Sequence, residues 1–114
     1  MTIYHFQMDI FQAMADPTRR NIIERLSSYQ AAKTGLSIKE LTADTGISRQ
    51  AVTKHLNVLV KSGAVKAEFK GKEKRHFLKH YAFSGAFQWL APIAEEWDER
   101  LIRLKQHLNK GDIE

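Results

Sequence analysis

The chain of 114 residues contains no cysteine, which excludes disulfides, thiolate nucleophiles and thiolate metal ligands. It lacks a run of about 18 uncharged apolar residues, the length that a membrane span needs. Its first residues do not show the basic stretch, apolar stretch and small-residue cleavage site of a secretory signal. A Gly-rich phosphate loop, a G-x-S-x-G elbow and a zinc-protease helix are also missing. These absences predict a soluble, unprocessed protein that is not an enzyme, has no cofactor and makes no contact with a membrane.

Glycine and proline are scarce as well, with six and two copies, and no Gly/Ser/Pro-rich linker, repeat or low-complexity tract divides the chain. Hydrophobic residues make up 43% of the sequence, which is enough for one modest core. We therefore expect a single domain that spans residues 1–114.

Positive charge is concentrated in the middle of the chain. Residues 36–80 contain ten Lys or Arg and four Asp or Glu, a net charge of +6, whereas the remainder carries −1. A concentrated positive charge favours a polyanion, because each neutralised phosphate releases condensed counterions. A solvated basic face that only aids solubility has the same composition. The order of the secondary-structure elements is therefore needed to distinguish it from a polyanion-binding surface. For a polyanion, these cations must converge on one surface.

The N-terminal segment is unusually apolar for a helix. Apolar residues recur at helical spacing over residues 1–15, and Phe6 and Ile10 lie on the same stripe. The apolar arc is wide, so this helix needs two neighbours, its own core and a partner subunit. We predict an N-terminal dimer helix in which Phe6 and Ile10 contact the partner.

A second helix is marked by its start. Asp16 is a preferred N-cap residue, and Pro17 follows at the first helical position, where its missing N–H costs nothing. This helix is expected to end near Tyr29, and residues 30–35 are interpreted as a loop.

The pattern over residues 36–63 predicts two helices joined by a tight turn. Ser37 and Glu40 have the spacing of a capping box, Gly46 ends the short helix, and Ser48 caps the next one. The inward residues of the second helix recur at helical spacing: Val52, Leu56 and Leu59.

Residues 64–80 change from helical to alternating periodicity. Apolar and charged residues alternate up to Lys70, Gly71 allows a tight turn, and a second strand follows from Arg75 to Leu78. The order of helix, tight turn, helix and hairpin predicts a mainly α fold with a small β-hairpin wing, a winged helix-turn-helix. Its second helix, from Ser48 to Ser62, would enter a major groove.

The C-terminal segment, residues 84–110, predicts a dimerisation helix. Its apolar residues are separated alternately by three and four positions, the heptad seam of paired helices. Pro92 lies within this seam, so we expect a kink, or a regular helix that starts near Ala91. The predicted dimer-interface residues on it are Phe87, Leu90, Ala94, Trp97, Leu101, Leu104 and Leu108.

These residues resemble the ArsR-like family of bacterial winged-helix repressors. The matching stretches are ADPTRR at residues 15–20, LSIKELTADTGISRQAVTKHLNVLVKSGAV at residues 36–65 and the hairpin at residues 70–77. The resemblance implies a homodimer in the bacterial cytoplasm, with two recognition helices, two wings and an interface made by the N- and C-terminal helices. It also implies transcriptional repression that is relieved by a signal.

The sequence departs from the metal-sensing members of that family. They carry Cys-x-Cys in the helix that opens the DNA-binding motif, and residues 40–44 contain no cysteine here. Others carry Asp-x-His on the C-terminal helix, but Asp98 is followed two positions later by Arg100. The five histidines form no ligand cluster in sequence, so no metal site is predicted within one chain; a site assembled across the dimer stays open.

Contacts with duplex DNA divide into those that position the protein and those that read bases. Gln50 has the bidentate geometry for adenine, and Arg49 suits a guanine or a phosphate. On the hairpin, the cations are expected to reach the backbone or the minor groove, although they also fit a charged edge that discourages strand pairing. The predicted DNA-binding residues are Ser48, Arg49, Gln50, Thr53, Lys54, His55, Asn57, Lys70, Lys72, Lys74 and Arg75.

Several roles remain open at this point. His55 fits a packed histidine as well as a DNA contact, and Ser48 is first of all a helix cap. Arg19 and Arg20 suit phosphate contacts at the start of their helix or pairing with Asp16 and Glu24.

The leading functional hypothesis is a sequence-specific, homodimeric repressor of an inverted-repeat operator in double-stranded DNA. The alternatives are a winged-helix protein-interaction module that pairs through its heptad helix, and a metal-responsive repressor. The sequence identifies no effector.

Overall fold

The computed structural model describes residues 10–113, with side chains as far as residue 108. Phe6 and the rest of the predicted N-terminal helix before Ile10 lie outside the described residues. The elements follow one another as α1 (helical at 10–14), α2 (Pro17–Leu26), α3 (Tyr29–Thr34), α4 (Ile38–Thr42), α5 (Arg49–Lys61), β1 (Val65–Lys70), β2 (Glu73–Leu78) and α6 (His80–Ile113). The predicted winged helix-turn-helix is confirmed.

The helix starts follow the predicted capping chemistry. The Asp16 carboxylate accepts a hydrogen bond from the backbone N–H of Arg19 at 3.1 Å, which caps α2. Ser37 and Glu40 form the complete capping box at the start of α4. Ser48 accepts from the backbone N–H of Ala51 at the start of α5. Each cap satisfies an N–H group that has no partner within its helix.

The interpretation of residues 30–35 as a loop was wrong. α2 ends at Leu26, and the short helix α3 covers Tyr29–Thr34. It forms because Ser28 caps it by accepting from the Ala31 N–H, and because Gly35 closes it at φ 71°, a conformation that glycine adopts without strain.

The core lies between α1, α2, α4, α5, the base of the hairpin and the first turns of α6. The inward residues predicted for α5 are all buried, with Val52 and Leu59 at 0% exposure. Ile10 is only 1% exposed within one chain, so its side chain packs in this core and leaves almost no surface for a partner subunit. The other buried apolar residues of this core are Ala13, Ile22, Leu26, Leu41, Leu56, Ala64, Val65, Ala82 and Ala86.

The wing is a two-stranded antiparallel sheet. Its register pairs Val65 with Leu78 at the base and Lys70 with Glu73 at the tip, so the second strand begins two residues before the predicted Arg75. The turn between the strands contains Gly71 at φ 66°, as predicted. A single bridge between Leu36 and His76 adds the segment before α4 to the sheet, which ties the wing to the helix-turn-helix.

The predicted restart of the C-terminal helix near Ala91 was wrong, because α6 is one helix from His80 to Ile113 with Pro92 inside it. Proline removes only one donor, the one that would bond to the carbonyl of Gln88, and Gln88 is exposed, so solvent can reach that carbonyl. Across residues 10–113, no helix combines the length and apolar character that a bilayer crossing requires.

Candidate nucleic-acid interface

The recognition helix α5 has one apolar and one polar side. Its apolar side packs into the core, and most of its polar side is exposed to solvent. Thr53 is half-buried, and its hydroxyl donates to the backbone carbonyl of Arg49 at 2.8 Å. We call the polar side the recognition face; its residues are Arg49, Gln50, Thr53, Lys54 and Asn57.

Ser48 lies exposed at the N-terminal end of α5. Its hydroxyl oxygen accepts from the Ala51 N–H at 3.1 Å, so capping occupies this side chain. The predicted DNA contact by Ser48 is untested. The free N–H groups at this end of the helix would also suit a phosphate.

His55 is half-buried and faces the corner between α1 and α2. Its Nδ1 lies 3.4 Å from Nη1 of Arg19 and 3.9 Å from Oδ2 of Asp16. The Arg19 N–H that bonds to Asp16 is the main reason why the pKa of this carboxyl lies below its usual value. Asp16 is therefore ionised at neutral pH.

Arg19 and Arg20 have a role that the sequence did not suggest, and the phosphate contacts considered for them are untested. Arg19 donates from Nε to the carbonyl of Ala13 at 2.8 Å and from Nη2 to the carbonyl of Gln12 at 2.9 Å. Arg20 donates from Nη1 to the carbonyl of Met14 at 2.8 Å. The last carbonyls of a helix have no partners within it, and these two guanidinium groups satisfy them at the end of α1. The ADPTRR motif thus joins α1 to α2 at a fixed corner.

The lysines of the wing differ in their surroundings. Lys66 and Lys70 lie 3.0 Å and 3.8 Å from opposite oxygens of Glu68, and the hydrogen bond from Lys66 holds the pKa of that carboxyl below its usual value. Lys72 and Lys74 are exposed near the turn of the hairpin. Exposed ion pairs of this kind contribute little stability, so Lys70 remains able to exchange Glu68 for a phosphate.

Arg75 is bound within the chain. Its guanidinium donates to the carbonyls of Thr34 at 2.6 Å and Gly35 at 3.2 Å, and it pairs with Glu40 at 2.9 Å and with Glu73. Its side chain is only 19% exposed. The predicted DNA contact by Arg75 is untested, but these bonds show that it fastens the wing to α3 and α4.

Glu40 is the acidic centre of that connection. The backbone N–H of Ser37 is the main cause that lowers the pKa of Glu40, and the guanidinium of Arg75 acts in the same direction. One carboxylate therefore closes the capping box and holds the wing arginine.

His76 lies 3% exposed at the base of the wing. Its Nδ1 lies 2.9 Å from the carbonyl of Leu36, and because a carbonyl only accepts, Nδ1 carries the proton. The backbones of the same two residues exchange hydrogen bonds at 2.8 Å and 3.1 Å. Burial lowers the pKa of His76 from its ordinary value of 6.5, while the bond to Leu36 raises it to a lesser degree.

The described residues show no cluster of potential metal ligands. Among the side chains that the structure describes, residues 10–108, no three of His, Cys, Asp or Glu lie close enough together to hold an ion.

The predicted dimer residues of α6 share an exposed surface. Within one chain, Phe87 is 70% exposed and Leu101 is 57% exposed, and the seam residues between and beyond them are also exposed. Next to the seam, Trp89 packs edge to face against Phe11 of α1, with ring centroids 5.5 Å apart. The contact brings α6 and α1 together on one side of the molecule.

The arrangement of α4, α5 and the hairpin defines a winged helix-turn-helix protein, and comparisons with known proteins give its family. Residues 14–68 match a protein family described as a helix-turn-helix domain. The uncharacterized HTH-type transcriptional regulator YuzN of Bacillus subtilis (strain 168) is 42% identical over 69 residues, 55% of this chain and 71% of that protein. The structure of an ArsR-like transcriptional regulator from Rhodococcus sp. RHA1 is 31% identical, with a TM-score of 0.69 over 93% of this chain and 95% of that one.

The chain belongs to the ArsR-like family of winged helix-turn-helix transcriptional regulators. It is a DNA-binding regulator of a family that is not enzymatic. A more distant structure has the same fold: a homodimeric winged helix-turn-helix DNA-binding domain from Mycobacterium bovis, 18% identical, with a TM-score of 0.63 over 87% of each chain.

Proposed function

We propose that this protein is a homodimeric repressor that binds an inverted-repeat operator in the bacterial cytoplasm. The observation that carries the proposal is the division of α5 into a buried apolar side and the recognition face. A helix anchored in this way presents polar side chains to a major groove without disturbing the core.

Each residue of the recognition face has a role that its chemistry suits. Gln50 reads an adenine through two hydrogen bonds, and Arg49 reads a guanine or binds a phosphate. Lys54, Thr53 and Asn57 contact the backbone or the edges of neighbouring bases. From the wing, Lys70, Lys72 and Lys74 bind phosphates or enter the adjacent minor groove.

The seam of α6 is proposed to bind a second copy of this chain. An apolar stripe this long is unfavourable in water, and a two-fold axis lets the same stripe cover itself. The homodimeric state of the Mycobacterium bovis domain, which shares the fold, supports this assembly. Two recognition helices related by a two-fold axis predict half-sites about one helical turn, roughly 34 Å, apart or slightly more.

Selection of bound fragments from a random duplex pool, followed by affinity measurements on the selected operator, tests the proposal. We expect an inverted repeat, and we expect the double variant Arg49→Ala, Gln50→Ala to lose at least roughly tenfold in affinity for it. The matched control removes the same residue types from the exposed surface of α6, as Arg103→Ala, Gln106→Ala, and should bind normally. Selection without any symmetric motif, or equal losses in the two double variants, would contradict the proposal.

Repression itself needs a separate measurement. A reporter gene placed behind the selected operator should be expressed less when the protein is present, and the Arg49→Ala, Gln50→Ala variant should restore expression. Higher expression with the protein than without it would show an activator.

A further inference from the structure

We propose that His55 supports DNA binding by positioning the recognition helix through its Nδ1 atom, and that it does not contact DNA. The inference rests on the proposed function, since it explains how α5 is held for that role. It assigns to His55, Asp16 and Arg19 a joint role in fixing α5 against the corner of α1 and α2.

The position of His55 on α5 argues against a contact with the groove. At about 100° per residue, His55 projects about 170° from the centre of the recognition face. It lies on the far flank of the buried stripe that contains Val52 and Leu59. Its side chain is 25% exposed and counts as half-buried, whereas Arg49 and Lys54 are exposed.

The contacts of His55 fix which ring nitrogen is used. A guanidinium has donors but no acceptor, so the Nδ1 that lies 3.4 Å from Nη1 of Arg19 must be the acceptor. The neutral ring then carries its proton on Nε2. His76 is the opposite case, because its Nδ1 donates to a carbonyl.

The Arg19 side chain that contacts His55 is itself held in place by hydrogen bonds. Its Nε and Nη2 are bound to the carbonyls of Ala13 and Gln12, and its backbone N–H is bound to Asp16. Arg19 therefore joins three places: its guanidinium contacts the last turn of α1 and the middle of α5, and its backbone N–H contacts the cap of α2. Because α1 also contacts α6 through Phe11, the position of α5 is tied to the helices proposed to dimerise.

Asparagine and glutamine substitutions at this position separate the two ring nitrogens. The amide oxygen of asparagine replaces Nδ1 as an acceptor, whereas the longer glutamine places its amide near Nε2. We expect His55→Ala to weaken operator binding by up to roughly tenfold, because one partly buried hydrogen bond is lost. His55→Asn should recover most of this affinity, and His55→Gln should resemble His55→Ala. Asparagine is the poorer helix former of the two, so its recovery would not reflect helix propensity.

Half-site spacing gives a second measurement that a general loss of stability would not change. If His55 fixes α5 relative to the dimer helices, His55→Ala should lose discrimination between the selected operator and one with a single base pair inserted at its centre. Lys54→Ala, which removes a contact of the recognition face, should weaken binding to both operators equally.

The outcomes separate this inference from the proposed function. Wild-type protein without operator affinity would contradict the proposed function itself. Normal wild-type binding with full affinity in His55→Ala, recovery by glutamine in place of asparagine, or unchanged spacing discrimination would overturn the role of His55. If the variants fail to fold, the tautomer of His55 in the wild-type protein is a further test. The nitrogen NMR signals of its imidazole should show the proton on Nε2. A proton on Nδ1 would overturn the inference.

Discussion

Two regions of this molecule differ in how far their side chains are buried. In the body, residues 10–86, apolar side chains from six elements share one core, and Arg19, Arg20, Arg25 and Arg75 donate to backbone carbonyls. In the α6 extension, residues 87–108, every side chain except Ala91 is exposed, including two tryptophans. The body buries its core within one chain, whereas the extension leaves its apolar side chains exposed.

The difference shows where each region obtains its stability. Trp89 contacts Phe11, but a helix that is otherwise exposed is marginal in water. Two exposed i,i+4 pairs, Arg100 with Glu96 and Arg103 with Glu99, contribute only about 0.3–0.5 kcal/mol each. From the proposed dimer we expect the stability of the extension to depend on dimerisation and the stability of the body to be independent of it. The four predictions that follow test this division, from the largest expected effect to the smallest.

The largest effect is expected in the seam. Leu101→Asp places one charge from each subunit in the proposed interface, where desolvation is costly, so the dimer dissociation constant should rise at least about 100-fold. Sedimentation equilibrium measures it, and circular dichroism should show that the body remains folded.

Ile102→Asp is the control for that change. Ile102 is 55% exposed, close to the 57% of Leu101, but it lies outside the seam. Equal dissociation in both variants would mean that the seam is not the interface.

The next effect concerns the body, at Gly35. Gly35 adopts φ 71°, and an added Cβ would lie 2.7 Å from the Phe77 ring and 3.1 Å from Cβ of Arg75. Gly35→Ala should lower the free energy of unfolding by about 2–3 kcal/mol through backbone strain and overlap. Urea unfolding measures the loss.

Gly46→Ala separates the two causes. Gly46 has the same φ of 71°, but an added Cβ would meet no atom within 4 Å. It should therefore lose only about 1 kcal/mol, the cost of the left-handed conformation. A loss as large as that of Gly35→Ala would show that overlap with the wing has no effect.

A smaller effect is expected from the arginine that fastens the wing. Arg75→Ala removes the bonds to Thr34, Gly35 and Glu40 and should cost about 1–2 kcal/mol of unfolding free energy. Lys72→Ala, at the exposed hairpin turn, should leave unfolding unchanged. No loss in Arg75→Ala would mean that the wing is held by its apolar residues alone.

The smallest effect is a dependence of stability on pH. The pKa of His76 is lower in the folded chain than the ordinary 6.5, so below pH 6.5 the unfolded chain binds more protons than the folded one. The free energy of unfolding should therefore fall as the pH drops from 7.5 to 5.5, by at most about 1.4 kcal/mol per pH unit. His76→Gln should reduce this slope, and His80→Gln, at an exposed position, should retain it. Equal slopes in both variants would assign the dependence to other groups.

Features that depend on a few neighbouring residues were predicted correctly from the sequence. The caps at Asp16, Ser37 and Ser48 and the turn at Gly71 depend on neighbouring residues only, and all four were predicted. The buried side of α5 follows from helical spacing in the same way.

Features that depend on distant residues were missed. Arg75 bonds to residues 35 to 41 positions away, and Arg19 reaches His55 36 positions along the chain, so neither contact has a local signal. α3 was missed because its six residues are too few to show an apolar period. The effect of Pro92 was overestimated because its helix is exposed there, and water can satisfy the carbonyl that proline leaves free.

The most direct test of the account is the salt dependence of binding to the selected operator. Each phosphate contact contributes about −0.9 to the slope of log affinity against log salt concentration. A dimer with three wing lysines on each subunit predicts a slope of about −5. The triple variant Lys70→Ala, Lys72→Ala, Lys74→Ala should remove this contribution and leave the smaller slope that comes from phosphate contacts of Arg49 and Lys54. A slope near zero in the wild-type protein would contradict the claim that the basic wing and recognition helix bind DNA.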